Sequence, residues 1–365
     1  MADSTRSDVA RLAGVSPAVV SYVVNGGPRP VSRAARERVE EAIATLGYRP
    51  NKLANAFRHG RTRSVGLLLP APINPFYAEL AAMVEGELLT AEYIASMAIS
   101  SFNAERDAQH LQSFIDRRMD GLIIASGASL PTDHVDLDTV PHVILDSGAR
   151  TATGADPHVR VHTDERHDVG RAVDHLRLHG HQVIGCIAGP PSWPVNAGRV
   201  AVWRDQLRAA DLPAGADLVA HADLTEHGGA TALRSLLAED AYRRSRRDHH
   251  PTALFVASDV QAFGVLRACY ELGISVPQDL AIVSFDGVAA AAYTQPRLTT
   301  MRQPMSEIVR TSTRLLVQQI ETGDRPGPAE ITIRGNLVIG ESCGCLPAGG
   351  RRSTTESAAG RRTTS

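Results

Sequence analysis

From Ser64 onward, short apolar runs alternate with longer amphipathic stretches, and few folds accept that order. The spacing predicts strands over 65–69, 94–99, 121–125, 142–145, 183–187, 253–257 and 280–285. It predicts helices near 76–90, 104–118, 165–179, 196–210, 228–239, 260–273 and 304–321. Parallel strands need a long, usually helical, crossover, so this alternation describes doubly wound parallel α/β sheets. The stretch is long enough for two lobes, 64–160 and 161–290, with the chain returning to the first after residue 290.

Residues 1–48 follow a different, all-helical pattern. Thr5 with Asp8 three positions later can start a helix whose apolar positions are Val9, Leu12 and Ala13, ended by Gly14. Ser16-Pro17 reads as the N-cap and first-turn proline of a second helix, with Val20 and Val23 inward. Asn25-Gly26-Gly27-Pro28 breaks it. Ser32 can cap a third helix, with Val39, Ile43 and Leu46 on its inner face and Gly47 as its stop. A tight glycine turn between the first two of three short helices describes a helix-turn-helix unit.

Charge separates along the same borders. The formal net charge is only −2, yet residues 1–63 carry +6, residues 346–365 carry +3, and the body between them carries −11. A basic head on an acidic body is expected where only the head meets a polyanion. The first ten residues hold no apolar core for a secretory signal, and the apolar run over 65–69 stops at Pro70. Four cysteines without such a signal imply free thiols. The expectation is a soluble cytoplasmic protein with no membrane partner.

The segment from Asp8 to Ser16, then Val20 to Asn25, resembles the DNA-binding head of the lactose-repressor (LacI/GalR) family. The resemblance continues through Leu46 to Asn51, Ala54 to Gly60 and Asn74-Pro75-Phe76-Tyr77. It resumes at Gly180-His181, Arg199, Ala257-Ser258-Asp259, Gly273 to Pro277, Ser284-Phe285-Asp286, Leu298-Thr299-Thr300 and Glu341-Ser342-Cys343. It implies an all-α helix-turn-helix head over 1–48, a hinge helix and linker over 49–63, and a two-lobed periplasmic-binding-protein-like α/β body over 64–345. The Gly/Ser/Thr/Arg-rich residues 346–365 are expected to be a disordered tail. The implied function is a homodimeric transcriptional regulator, a repressor, that binds a near-palindromic double-stranded operator under control of a sugar-like effector. Neither a cofactor nor an enzymatic role is implied.

A helix in the major groove presents its N-terminal residues to base edges. Here those are Pro17, Ala18 and Tyr22, offering apolar contact and one hydroxyl but no bidentate pairing. Pro17 and Ala18 could equally serve only to shape the helix start. Ser16 and Ser21 suit phosphates; Asn25 suits a phosphate or a turn cap. Val19 stands where the family usually has threonine, and Arg6 where it has an apolar residue. In the implied hinge, Asn51, Asn55 and Arg58 can line a minor groove, and Phe57 stands at the family's usual leucine wedge. Its alternative role is a contact with the body.

Ligands of doubly wound folds sit at the carboxyl ends of strands. The resemblance makes Asp146, Arg199 and Asp286 the best effector contacts, joined by Phe76, Tyr77, Asp259 and Gln303. One arginine among carboxylates suits paired hydroxyls of a neutral polyhydroxylated ligand; the alternative is that these charges pair with one another. Leu224 replaces a common stacking aromatic and Ser258 a usual asparagine, and Trp193 can supply a substitute ring face.

Other constellations carry no chemistry on their own. His175 and His179 are four apart, but Leu176 stands where a zinc-protease helix needs glutamate. Cys343-Gly344-Cys345 has no partner pair in the sequence, so no metal site is expected. A transporter's solute-binding protein would share the body but need a secretion signal and no head. An enzyme acting on sugars would need an acid/base pair beyond the binding carboxylates.

Overall fold

Capping residues set the helices of the first unit, Met1–Thr62. Helix α1 (Arg6–Ala13) begins at Thr5, whose hydroxyl accepts from the Asp8 amide while the Asp8 carboxylate accepts from the Thr5 amide. Those hydrogen bonds from Thr5 hold the Asp8 carboxyl below its ordinary range. Gly14 closes α1 at φ 64°, a left-handed position that costs glycine no Cβ clash. Helix α2 (Pro17–Asn25) follows, and Ser32 caps α3 (Arg33–Leu46) by accepting from the Ala35 amide. Val9, Ala10, Ala13, Val20, Val39 and Ala42 form the core. One expectation fails: Leu12 is 54% exposed, and Ala10 takes its inward place. Val9, Ala10 and Ala13 share one helical face, and Leu12 lies on another.

The second unit, Arg63–Ser365, holds two parallel sheets. The computed structural model describes residues 4–25, 29–48, 60–71, 73–125, 135–145, 158–237 and 250–345. In the first lobe, β1 (Ser64–Leu69), β2 (Ile94–Ile99), β3 (Gly121–Ile124), β4 (His142–Ile144), β5 (Val159–Thr163) and β11 (Ala329–Ile333) run in the order β11-β5-β4-β3-β1-β2. All of its pairings are parallel. Helices α4 (Pro75–Thr90), α5 (Ala104–Asp116) and α10 (Met305–Thr322) cover it. In the second lobe, β6 (Ile184–Ala188), β7 (Val219–His221), β8 (Ala253–Val256), β9 (Ala281–Asp286), β10 (Thr299–Arg302) and β12 (Asn336–Val338) run β12-β10-β9-β8-β6-β7, antiparallel only at β12. Its helices are α6 (Glu165–Leu178), α7 (Pro194–Ala209), α8 (Glu226–Leu237) and α9 (Asp259–Leu272). Trp203, Phe255 and Phe285 are fully buried in its core.

The seven expected strands and seven expected helices of this unit are all present. Five further strands, β5, β7, β10, β11 and β12, are short or carry polar residues, as in Val-Arg-Val-His-Thr of β5. The chain also returns to the first lobe later than expected. After residue 290 it first adds β10 beside β9, enters the first lobe with α10, and crosses back between β11 and β12. The crossings are tied together: the Asp164 amide donates to Ile333 O at 2.8 Å, and the Gly335 amide to Asp168 Oδ2 at 2.7 Å.

Candidate functional site

The first unit presents the start of α2 to solvent. Ser16, Pro17 and Ala18 are exposed, and Ser21 and Tyr22 are half-buried. The Ser16 hydroxyl accepts from the Val19 amide at 3.4 Å, as an N-cap does, while Val20 anchors the helix in the core. The sequence-derived hinge residues Asn51, Asn55, Phe57 and Arg58, the side chain of Asn25 and the tail 346–365 lie outside the described residues.

In the second unit a cavity of about 80 Å³ opens between the lobes. Strand ends and helix starts bring its polar groups together. Arg199, on the first turns of α7, is 6% exposed and lies with its guanidinium carbon 4.1 Å from the Phe285 ring centre. It donates to Glu165 Oε1 through Nε at 3.1 Å and Nη2 at 2.7 Å, and through Nη1 to Ala257 O at 2.6 Å. Burial opposes its charge, but Glu165 and Asp286 outweigh burial and raise its pKa.

Asp286 ends β9. Its carboxylate accepts from Ser258 Oγ at 3.0 Å and from Gln303 Nε2 at 2.9 Å, and Gln303 Oε1 accepts from Thr163 Oγ1 at 2.8 Å. This chain of bonds spans the lobes. Burial pushes the Asp286 carboxyl up to about 7; Arg199 opposes the rise and Asp259 adds to it. Asp286 also sits at φ 114°, a region that strains a residue with a Cβ and persists only where surrounding structure fixes it. Asn196 on α7 is fully buried, and its Oδ1 has no hydrogen-bond partner among the described residues. A buried acceptor of this kind is an opening for a ligand donor.

Of the effector contacts expected from the sequence, Phe76, Tyr77, Arg199, Asp286 and Gln303 line the cavity. Asp146 lies outside the described residues. Two do not line it. Asp259 stands behind the wall, accepting from Ser284 Oγ, from Thr300 Oγ1 at 2.7 Å and from the Val288 amide at 2.8 Å, so it shapes the turn after Asp286. Burial pushes its carboxyl up to about 6. Trp193 has its ring face taken by Phe102, stacked at 3.8 Å and 14°. Leu224 and Ser258, the two departures from the family pattern, both line the cavity.

Sequence reasoning missed Glu165 and Asn196. A carboxylate in the first turn of a helix normally matches the helix dipole, and that ordinary role conceals Glu165. Its position just after a strand was the available signal, but β5 itself was not expected. The expectation of no metal site also meets a contrary arrangement: His175 on α6 comes together with Cys343 and Cys345, and His179, which caps that helix, lies beside Cys345. The two pairs are remote in sequence, and only the fold joins them.

Residues 5–51 match the family described as bacterial regulatory proteins, lacI family, and residues 173–343 match a periplasmic binding protein-like domain. The chain is 34% identical to catabolite control protein A of Priestia megaterium, over 85% of this chain and 91% of that protein. It is 32% identical to the ribose operon repressor of Haemophilus influenzae strain Rd, over 87% and 92%. Among solved structures, the Lac repressor dimer bound to operator and the anti-inducer ONPF is similar with a TM-score of 0.81, at 25% identity over 94% of this chain and 99% of that one. A transcriptional regulator CelR–cellobiose complex is similar at 0.68, with 29% identity over 93% and 99%.

Proposed function

The chain belongs to the lacI family of bacterial regulatory proteins, and from that premise we propose a DNA-binding transcriptional repressor controlled by a polyhydroxylated effector held between its lobes. It is a regulator and not an enzyme. The observation that carries the effector assignment is the cavity, where Arg199, Asp286, Gln303 and Asn196 share the lining with apolar side chains. Such a set pairs with vicinal hydroxyls while its apolar wall accepts the C–H face of a sugar ring. The names of the ribose operon repressors and of the cellobiose complex support the same ligand class.

In the head, Pro17, Ala18 and Tyr22 meet base edges, and Ser16, Ser21 and Asn25 hold phosphates. The hinge residues Asn51, Asn55, Phe57 and Arg58 enter the minor groove. The active species is a homodimer reading two half-sites, as the operator-bound Lac repressor dimer is a dimer. A second copy fits the edge of the first sheet, where Leu89, Ile94 and Met97 of α4 and β2 are 62%, 59% and 59% exposed. An apolar edge strand left bare invites pairing or coverage. No described helix is long and apolar enough to cross a membrane; we place the protein in the cytoplasm, with its DNA.

The test has two arms, both on the full chain. Thermal-shift screening against a sugar library should find a ligand that raises Tm, since binding at a hundredfold its Kd adds about 2.7 kcal/mol. Footprinting should then show a two-fold symmetric protected site whose occupancy that ligand changes. A single asymmetric half-site, or a bound sugar with no effect on occupancy, would refute the assignment.

A further inference from the structure

Two short features that regulation leaves unused meet on the second lobe. His175 and His179 lie one turn apart at the C-terminal end of α6, on one face, with ring centres 4.6 Å apart. Cys343 and Cys345 lie on the segment that closes the body. Cys345 Sγ is 3.2 Å from His179 Nε2 and 3.7 Å from His175 Nε2, and the ligand atoms of His175, Cys343 and Cys345 all lie within 4.8 Å of one another. A tetrahedron with zinc-type bonds of about 2.0–2.3 Å has ligand-to-ligand edges of roughly 3.3–3.8 Å. The two Cys345–histidine separations stand close to that figure, and Cys343 lies within reach of His175 and Cys345. We propose that His175, His179, Cys343 and Cys345 bind one divalent ion of the zinc class in tetrahedral two-nitrogen, two-sulfur coordination.

Three further observations support the site. First, its backbone is fixed independently of any ion. Ser342 Oγ donates to Ile282 O at 2.7 Å and accepts from the Thr299 amide at 2.9 Å, which pins the turn that holds Cys343 to the starts of β9 and β10. Gly344, at φ 89°, turns the chain so that both sulfurs face α6, a turn that a side chain would strain. Second, Thr299 Oγ1 lies 3.0 Å from Cys343 Sγ, a hydroxyl placed to donate to a thiolate and orient it. Third, the donor chemistry is selective. Two thiolates neutralise a dication, so a half-buried site carries no net charge, and nitrogen with sulfur favours zinc over magnesium or calcium. His175 and Cys345 are half-buried and Cys343 is buried, which leaves an open side for entry.

Occupancy would clip the end of the body to α6, closing a loop from residue 179 to 343. Glu165 starts the same helix of 14 residues, about 20 Å away, so the ion is a clamp and not an effector contact. The experiment uses the full chain, reduced and stripped of metal, with Zn²⁺ or Co²⁺ alone as the probe. Elemental analysis should give one zinc per chain, and Co²⁺ should give the visible absorption of a tetrahedral, thiolate-ligated ion. Tm should rise with Zn²⁺ and fall again with chelator. Cys343 is buried, so its replacement tests folding as well as ligation; Cys345→Ser and His179→Gln avoid that. Each should weaken metal binding at least tenfold and abolish the Tm response, with operator binding unchanged. Metal uptake well below one per chain, or Co²⁺ spectra identical in wild type and in both variants, would overturn the site. So would a Cys343–Cys345 disulfide, seen as the loss of two hydrogens in intact mass, that persists under reducing conditions.

Discussion

The two walls of the cleft do different work. The first-lobe wall is largely apolar, built from Phe76, Tyr77, Leu80, Met305 and Ile308. The second-lobe wall holds Glu165, Asn196, Arg199, Ser258 and Asp286, with Arg199 already paired with Glu165 and Asp286 bonded to Ser258. A ligand therefore finds a preset polar surface on the second lobe and a cover on the first. Among the described residues, direct contacts across the mouth include the Phe102–Trp193 stack and Glu79 Oε1 accepting from the Ala289 amide at 3.0 Å. Under the proposed effector role, recognition belongs to one wall and closure to the other. Because closure couples to ligand only through contacts made better in one lobe arrangement, the first wall sets how binding is converted into movement.

The largest expected effect tests the polar wall. Arg199→Ala removes one partner of a buried pair and leaves Glu165 uncompensated, which should cost about 3–5 kcal/mol of stability and abolish effector binding. Urea unfolding and thermal shift with the effector would measure both. A variant of near wild-type stability that still bound effector would erase the distinction between the walls.

The second effect is a pH dependence. The ordinary carboxyl titrates near 4, whereas Asp286 is pushed up to about 7 and Asp259 to about 6 by burial. Between those values the folded chain holds protons that the unfolded chain has released. Stability should therefore be full near pH 4 for these groups and fall as pH rises towards 7. Asp286→Asn, which cannot ionise, should flatten that fall, although its single carbonyl oxygen keeps an acceptor for only one of Ser258 and Gln303. Urea midpoints across the window would show it; an unchanged slope in the variant would place the titration elsewhere.

What the sequence made legible follows the strength of its local signals. Long amphipathic helices and apolar central strands were readable because burial on both faces of a parallel sheet leaves little room for polar residues. The strands that escaped sit at edges or crossings, where three-residue β7 and β12 or Arg160 and His162 of β5 break the pattern. The site divides in the same way. Arg199, at a helix start, and Asp286, at a strand end, came from the family resemblance, whereas Glu165, the carboxylate that Arg199 pairs with, was not among the expected charges. The paired histidines and cysteines were visible separately, yet more than 160 residues of chain separate the two pairs and no spacing rule joins them.

The closure contacts should give a smaller effect. Phe102→Ala or Trp193→Ala removes a stacked pair worth about 0.5–1.5 kcal/mol beyond area burial. Effector dissociation should speed up roughly twofold to tenfold, with little change in what the cleft recognises. Stopped-flow displacement would measure the rate, and a changed ligand preference would show that the stack reaches into the recognition surface after all.

The smallest effect belongs to the cover itself. Ile308 lines the cavity from α10 and is 7% exposed, so Ile308→Val removes one methylene from the first wall without opening a polar group. A buried methylene is worth about 0.8 kcal/mol, close to a fourfold change in affinity if all of it faces the ligand. Part of that side chain packs in the lobe core against neighbours such as Leu80 and Met305, so the expected loss of effector affinity is about twofold. Operator affinity without effector should not move, because Ile308 lies outside the compact unit that holds the head. Calorimetric titration of the effector into wild type and variant would resolve this. A loss of more than about tenfold could not come from one methylene of apolar contact, and it would mean that the first wall positions the ligand against Arg199 and Asp286 instead of merely covering it.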